Sequence, residues 1–333
     1  MNVSVIGGGA WGTTLAQALA DNGNDVLIRD INPNFVDKIN NLHLHPFFDK
    51  EIPSSIKATL DLKMAVNFSN VLVLCVPTKA MRNVLTEIAT LVNDKKIFIN
   101  VSKGIEPNTS KRVSEIVDEV IPQNYLEGYV VLSGPSHAEE MILRKITSLV
   151  AASKSNDLAT KVQNLFSNEK YLRVYTSSDV IGVECGGALK NAIAIVSGIS
   201  SGLGLGENAR AMLITRGIKE IVAIVVTLGG EMETAYGLSG IGDLIVTASS
   251  MNSRNFQCGL KIGQGMSIEE ALGSSVQTVE GIRAIEAGYE IAVKNNLELP
   301  IICTAHELVA GKLTVKEALH KLMTRSLKNE KYW

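Results

Sequence analysis

Paired cysteines are what this chain most plainly lacks. Its four, Cys75, Cys185, Cys258 and Cys303, lie far apart and form no CxxC. That argues against a disulfide framework and predicts reduced core thiols in a cytoplasmic protein. Strong charge is missing too. A formal net charge of −2 gives no basic footprint for nucleic acid or an anionic membrane surface. The longest apolar runs, such as VLVLCV and AIVV, fall far short of the ~20 residues of a membrane span. The start, MNVSVIGGG, has no basic region leading into a long apolar one, so no signal peptide is expected. His43, His45, His137, His306 and His320 show no metal-ligand spacing, and HLH reads as loop. No segment is of low complexity, and no repeat has a fixed period.

What the chain does have is material for a core. Hydrophobic residues make up 46% and charged residues 20% of 333, which suits a globular protein of two domains. The first half alternates strands and helices. Strands are expected at 3–6, 25–31, 71–77, 96–102, 129–133, 147–153 and 172–177, with a further short one in ATLD. Helices are expected at 13–21 and 80–92. Alternation of this kind predicts a mostly parallel sheet covered on both faces. Near residue 180 the pattern changes. Helical stretches follow one another at 182–199, 208–228, 240–250, 253–263, 267–272, 281–295, 303–310 and 314–323. The expected division is an α/β domain over 1–180 and an all-α domain over 181–333.

The first turn carries the clearest chemistry. In VSVIGGGAWGTTLAQALA, Gly7, Gly9 and Gly12 have the G-x-G-x-x-G spacing between a strand and a helix. Gly7 makes the tight turn, Gly9 admits a pyrophosphate to the backbone N–H groups, and Gly12 lets helix and strand pack closely. The helix N-terminus adds partial positive charge. Asp30 ends the second strand, where a carboxylate accepts from an adenosine ribose 2′-OH and repels a 2′-phosphate. Arg29 beside it would favour the 2′-phosphate. Strand alternation puts the two on opposite faces, and the balance leans to NAD(H) over NADP(H). GLGLGE, with no strand before it, reads as a helix–helix turn.

Three later stretches gather polar groups. In GGALKN, Gly186, Gly187, Lys190 and Ala194 share one helix face, with Asn191 alongside. GLSGIGDLIVTASSMNSRN contains Asp243, Thr247, Ser253, Arg254 and Asn255. VSKGIEP puts Lys103 just past a strand, at the end where open α/β sheets bind ligands. Arginine binds phosphate through two donors, and a desolvated lysine near another cation exchanges protons near neutrality. The set suits a small phosphorylated substrate, with Lys190 as the acid–base group. Two plainer readings stand beside it: Lys190 snorkels to the surface, and Ser253 merely caps a helix.

These segments closely resemble the bacterial type of NAD(P)-dependent glycerol-3-phosphate dehydrogenase, over essentially the whole chain. VIGGGAWGTTLA, VPTKAMRNVL, NVSKGIEPNT, LSGPSHAEE, GVECGGALKNAIAIVSGISSGLGLGENARAMLITRG and GLSGIGDLIVTASSMNSRNFQCGLKIGQG fall in the family's order. The resemblance implies an N-terminal Rossmann domain and a helical domain of the 6-phosphogluconate dehydrogenase-like type. It implies interconversion of dihydroxyacetone phosphate and sn-glycerol 3-phosphate with NAD(P)H, a product used in phospholipid synthesis, a cytoplasmic location and a homodimer. It makes Lys190 the proton donor or acceptor. Lys103, Asp243, Ser253, Arg254 and Asn255 would contact substrate, joined by Gly134 and Ser136; Asn191 and Thr247 complete our substrate set. Ala10, Trp11, Lys103, Ala138, Arg254, Thr278 and Glu280 would meet the dinucleotide. Two departures stand out. The end of strand two reads LIRDIN where the family often has a tryptophan and a later basic residue, and SGPSF of many relatives reads SGPSH, with His137. The alternatives are a related two-domain 3-hydroxyacid or 6-phosphogluconate-type dehydrogenase, and a non-catalytic dinucleotide sensor, which would need neither Lys190 nor Arg254.

Overall fold

The computed structural model describes residues 1–274 and 279–330. Its first half is one eight-stranded sheet. The strands are β1 (Asn2–Ile6), β2 (Asp25–Arg29), β3 (Lys57–Thr59), β4 (Val71–Leu74), β5 (Lys96–Asn100), β6 (Leu126–Ser133), β7 (Thr147–Ala152) and β8 (Leu172–Ser177), in the order β3-β2-β1-β4-β5-β6-β7-β8. All neighbours are parallel except β6 and β7. The helices around it are α1 (Ala10–Asp21), α2 (Pro33–Leu42), α3 (Leu62–Phe68), α4 (Thr78–Leu91), α5 (Val113–Val120), α6 (Ala138–Met141) and α7 (Asn156–Phe166).

The central strand β4 is apolar at every position because helices cover both faces. Val71 and Val73 of β4 join one core with Val5, Leu15 and Ile28, while Leu72 and Leu74 join the other with Met81, Leu85 and Ile116. The chain winds outward from β1 in one direction and from β4 in the other. The switch between them opens a crevice at the strands' carboxyl ends, the ligand position of open α/β sheets.

After β8 the chain is helical: α8 (Val180–Gly202), α9 (Gly206–Thr227), α10 (Met232–Ala235), α11 (Asp243–Ser249), α12 (Arg254–Gly263), α13 (Ile268–Gly273), α14 (Gly281–Asn295), α15 (Pro300–Val309) and α16 (Val315–Met323). Helix α8 starts where the Asp179 carboxylate accepts from Gly182 N at 2.8 Å. It is mostly apolar, long enough by composition to cross a membrane, and it lies inside the fold with 89% of its most apolar stretch buried. Small residues let α12 press against it: a Cβ on Gly198 would lie 2.2 Å from Phe256 O, and one on Gly259 would lie 2.0 Å from Ile195 O.

Several local expectations change. Helix α2 occupies residues that showed no marked pattern. The stretch expected as helix at 240–250 begins as a π-helical turn, Leu238–Gly242, before α11. There a Cβ on Gly186 of α8 would come within 2.9 Å of Ser239 O, so the wider turn fits against a helix without side chains at that point. GLGLGE is the turn between α8 and α9, as expected.

Candidate active site

The crevice between the sheet and the helices is a cavity of ≈ 400 Å³. Its floor on the sheet side is the glycine turn. Gly7 has φ +113, which no L side chain adopts easily, and a Cβ on Gly12 would lie 1.9 Å from Gly7 O. A Cβ on Gly9 would meet nothing within 4 Å, so the backbone is open to the crevice there. No side chain caps α1, and its first-turn N–H groups are left for an acceptor. Gly9, Ala10, Trp11 and Gly12 line the crevice, and the buried Trp11 Nε1 has no partner among the described residues. Open backbone, unfilled donors and a helix N-terminus fit a dinucleotide pyrophosphate.

Asp30 lies behind this turn rather than on the crevice wall. Its Oδ2 accepts from Gly8 N at 2.6 Å and its Oδ1 from Asn32 N at 2.8 Å. It holds the glycine turn to the end of β2, and it has no ion pair among the described residues. Thr278 lies outside the described residues.

Helix α8 brings Lys190 to the opposite wall. The side chain does not snorkel out: Lys190 is 5% exposed and sits between Asp243 and Thr247. Its Nζ donates to Asp243 Oδ1 and, at 2.7 Å, to Thr247 Oγ1. Burial pulls the ammonium down to about 7, Asp243 opposes that, and Lys103 adds to it. Lys103 reaches over from the loop after β5. Its Nζ donates to Asp243 Oδ2 at 2.7 Å, Gly134 O at 2.8 Å and Ser136 Oγ at 3.1 Å. Asp243 therefore bridges both lysines from beneath the wall, while Lys103, Ser136, Lys190 and Thr247 face the cavity. Gly134 offers only its carbonyl, turned to Lys103.

Two amides brace this wall. Asn255 Nδ2 donates to Asn191 Oδ1 at 2.8 Å, Asn191 Nδ2 to Lys103 O at 3.2 Å, and Gly281 N to Asn255 Oδ1 at 2.9 Å. Ser253 caps α12 by accepting from Phe256 N at 3.2 Å and also lines the cavity, so both readings of it hold. Arg254 lines the cavity with no hydrogen bond or ion pair among the described residues, and the carboxylates of Glu139 and Glu280 act on its charge. Glu280 also lines the cavity. Burial raises its carboxyl, against the opposing pulls of Arg283, the Thr78 N–H and Arg254. Ala138 completes the rim.

Sequence reasoning passed over Cys75, Val76, Pro77 and Thr78, which line the cavity just beyond β4. The rule that found Lys103, the carboxyl end of a parallel strand, would have found them. It also passed over Phe47. That loop is pinned by His45, whose Nδ1 accepts from Phe47 N at 3.1 Å and Phe48 N at 3.2 Å, while Nε2 lies 3.0 Å from Ala10 O. Burial lowers His45 to about 4, and no sequence signal marks it.

Comparison with known proteins gives the family. Sequence models for the N-terminus and C-terminus of NAD-dependent glycerol-3-phosphate dehydrogenase match residues 2–159 and 179–320. The glycerol-3-phosphate dehydrogenase [NAD(P)+] of Acholeplasma laidlawii is 59% identical over 99% of each chain. That of Phytoplasma australiense is 47% identical over 99% of this chain and all of its own. The crystal structure of glycerol-3-phosphate dehydrogenase from Coxiella burnetii superposes with a TM-score of 0.91 at 32% identity, covering 97% of this chain and 99% of that one.

Proposed function

From the premise that this chain belongs to the NAD-dependent glycerol-3-phosphate dehydrogenase family, we propose how its residues divide the work. The reaction is the interconversion of dihydroxyacetone phosphate and sn-glycerol 3-phosphate. The observation that carries the assignment of roles is Lys190, a buried amine near neutrality on the wall facing the glycine turn.

When bound, the nicotinamide supplies or accepts the hydride at C2 of the substrate. Lys190 gives its proton to the C2 oxygen as negative charge gathers there, and takes it back in the reverse direction. Lys103 adds positive charge to the same wall, and the Ser136 and Thr247 hydroxyls face the same space. Arg254, with no hydrogen-bond or ion-pair partner among the described residues, receives the phosphate together with Ser253 and Asn255 at the start of α12. Holding the phosphate there fixes C2 relative to Lys190, which turns binding into orientation. Gly9, Ala10, Trp11, Ala138 and Glu280 hold the dinucleotide, and the resemblance to the family adds Thr278.

Asp30, with no ion pair among the described residues, favours NAD(H), since its charge opposes a 2′-phosphate. The test is reduction of dihydroxyacetone phosphate with NADH and with NADPH. Asp30→Asn keeps an acceptor for Gly8 N and removes the charge. It should raise the NADPH/NADH ratio of kcat/KM about tenfold, roughly 1.4 kcal/mol. An unchanged ratio would show that Asp30 does not choose the cofactor. We also propose a division into two domains at about residue 180, a homodimer, a cytoplasmic location and supply of glycerol 3-phosphate for phospholipid synthesis. These rest on the resemblance to the family.

A further inference from the structure

We propose that His137 determines specificity at the substrate's free hydroxyl end, its Nδ1 accepting the hydrogen bond of the primary alcohol. This rests on the reading that the cavity takes dihydroxyacetone phosphate. That molecule brings a phosphate and a carbonyl, both acceptors, and one hydroxyl, which needs an acceptor when buried. The cavity is rich in donors: Lys103, Lys190 and Arg254 all face it. Several of its neutral acceptors near the two lysines and at the start of α12 are engaged elsewhere. Thr247 Oγ1 accepts from Lys190 and Ser136 Oγ from Lys103. Ser253 Oγ accepts from Phe256 N, and the amide oxygens of Asn191 and Asn255 accept from Asn255 and Gly281. The carboxylates of Glu139 and Glu280 act on Arg254, at the end that receives phosphate.

His137 stands apart from this pattern. It lines the cavity, against Val246 of α11, and the charge of Lys190 acts on it. Its Nε2 lies 3.3 Å from Val246 O, a carbonyl, so Nε2 carries the proton and donates. Nδ1 is then a lone-pair acceptor, and it has no partner among the described residues. Burial, Lys190 and Lys103 lower the ring's pKa, while the Val246 carbonyl and Glu139 oppose them, so the ring is neutral at pH 7 and keeps that lone pair.

The test measures reduction of dihydroxyacetone phosphate and of acetol phosphate, which differs only in lacking the hydroxyl. The wild-type enzyme should prefer the hydroxylated substrate by about tenfold in kcat/KM, the size of one hydrogen bond. His137→Phe should bring the ratio close to one by slowing dihydroxyacetone phosphate alone. His137→Gln, which keeps an acceptor, should recover part of the preference. An equal loss on both substrates in His137→Phe, or an unchanged ratio, would overturn the proposal. Lack of turnover of dihydroxyacetone phosphate by the wild-type enzyme would overturn the reading of the reaction, and this proposal with it.

Discussion

A lysine ammonium enclosed among the small residues of α8 has lost most of its hydration, and Asp243 restores part of what water provided. The carboxylate serves two lysines at once, so its removal acts on the titration of the wall rather than on a substrate contact. Asp243→Asn withdraws the group that raises the Lys190 pKa. In the direction that reduces the ketone, Lys190 must start protonated, and the rate falls as pH rises through about 7. In the variant that fall should move to lower pH, measured as the pH profile of kcat/KM. A profile that stays in place would mean Lys190 is not the titrating group. Much of this was legible in the residues. Lys190 stands out as a cation in a small and apolar run, Lys103 as one at the carboxyl end of a strand and Arg254 as one in a polar cluster, and the structure places all three on one cavity. The position of Asp243 beneath the lysines was not legible, because it depends on a contact across 53 residues of chain. Asp30 was legible as a carboxylate at the end of β2, but its bonds to Gly8 and Asn32 were not.

At the scale of elements, the cavity depends on how closely α12 lies on α8. Both helices use glycine where they touch, and the start of α12 carries Ser253, Arg254 and Asn255. An alanine at Gly259 would set its Cβ 2.0 Å from the Ile195 carbonyl oxygen, backbone that cannot turn aside. Gly259→Ala should therefore destabilise the protein by roughly 1–3 kcal/mol and raise KM for dihydroxyacetone phosphate, because the phosphate-holding residues move with α12. Gly273→Ala is the control: a Cβ there meets nothing within 4 Å, and the substitution should be close to neutral. A normal melting temperature and KM in Gly259→Ala would show that the helix contact is looser than described. Strand and helix periodicity announced most elements, since short continuous apolar runs set between helices suit strands covered on both faces and little else. The antiparallel turn of β7 was hidden because a strand buried on both faces looks alike in either direction. The π-helical start of α11 was hidden because it answers to Gly186 on another helix.

The whole molecule joins its halves through buried polar contacts as well as through the cavity. Glu184 of α8 accepts from Ser114 N at 2.9 Å, Ser114 Oγ at 2.6 Å and Tyr129 Oη at 2.6 Å. The loop that bears Lys103 crosses over: Ile105 packs in the helical core, and Ser110 Oγ donates to Glu290 Oε2 at 2.5 Å. The wall that faces the glycine turn is thus assembled from both halves, and the claim at its centre is that Lys190 moves the proton. The most direct test is single-turnover oxidation of NADH by dihydroxyacetone phosphate on Lys190→Met, with NADH binding and thermal unfolding measured on the same sample. Methionine fills the volume and leaves Asp243 paired with Lys103, so fold and NADH affinity should be kept while the rate falls by ~10²-fold or more. A Lys190→Met enzyme that binds NADH normally and turns over at close to the wild-type rate would contradict the account.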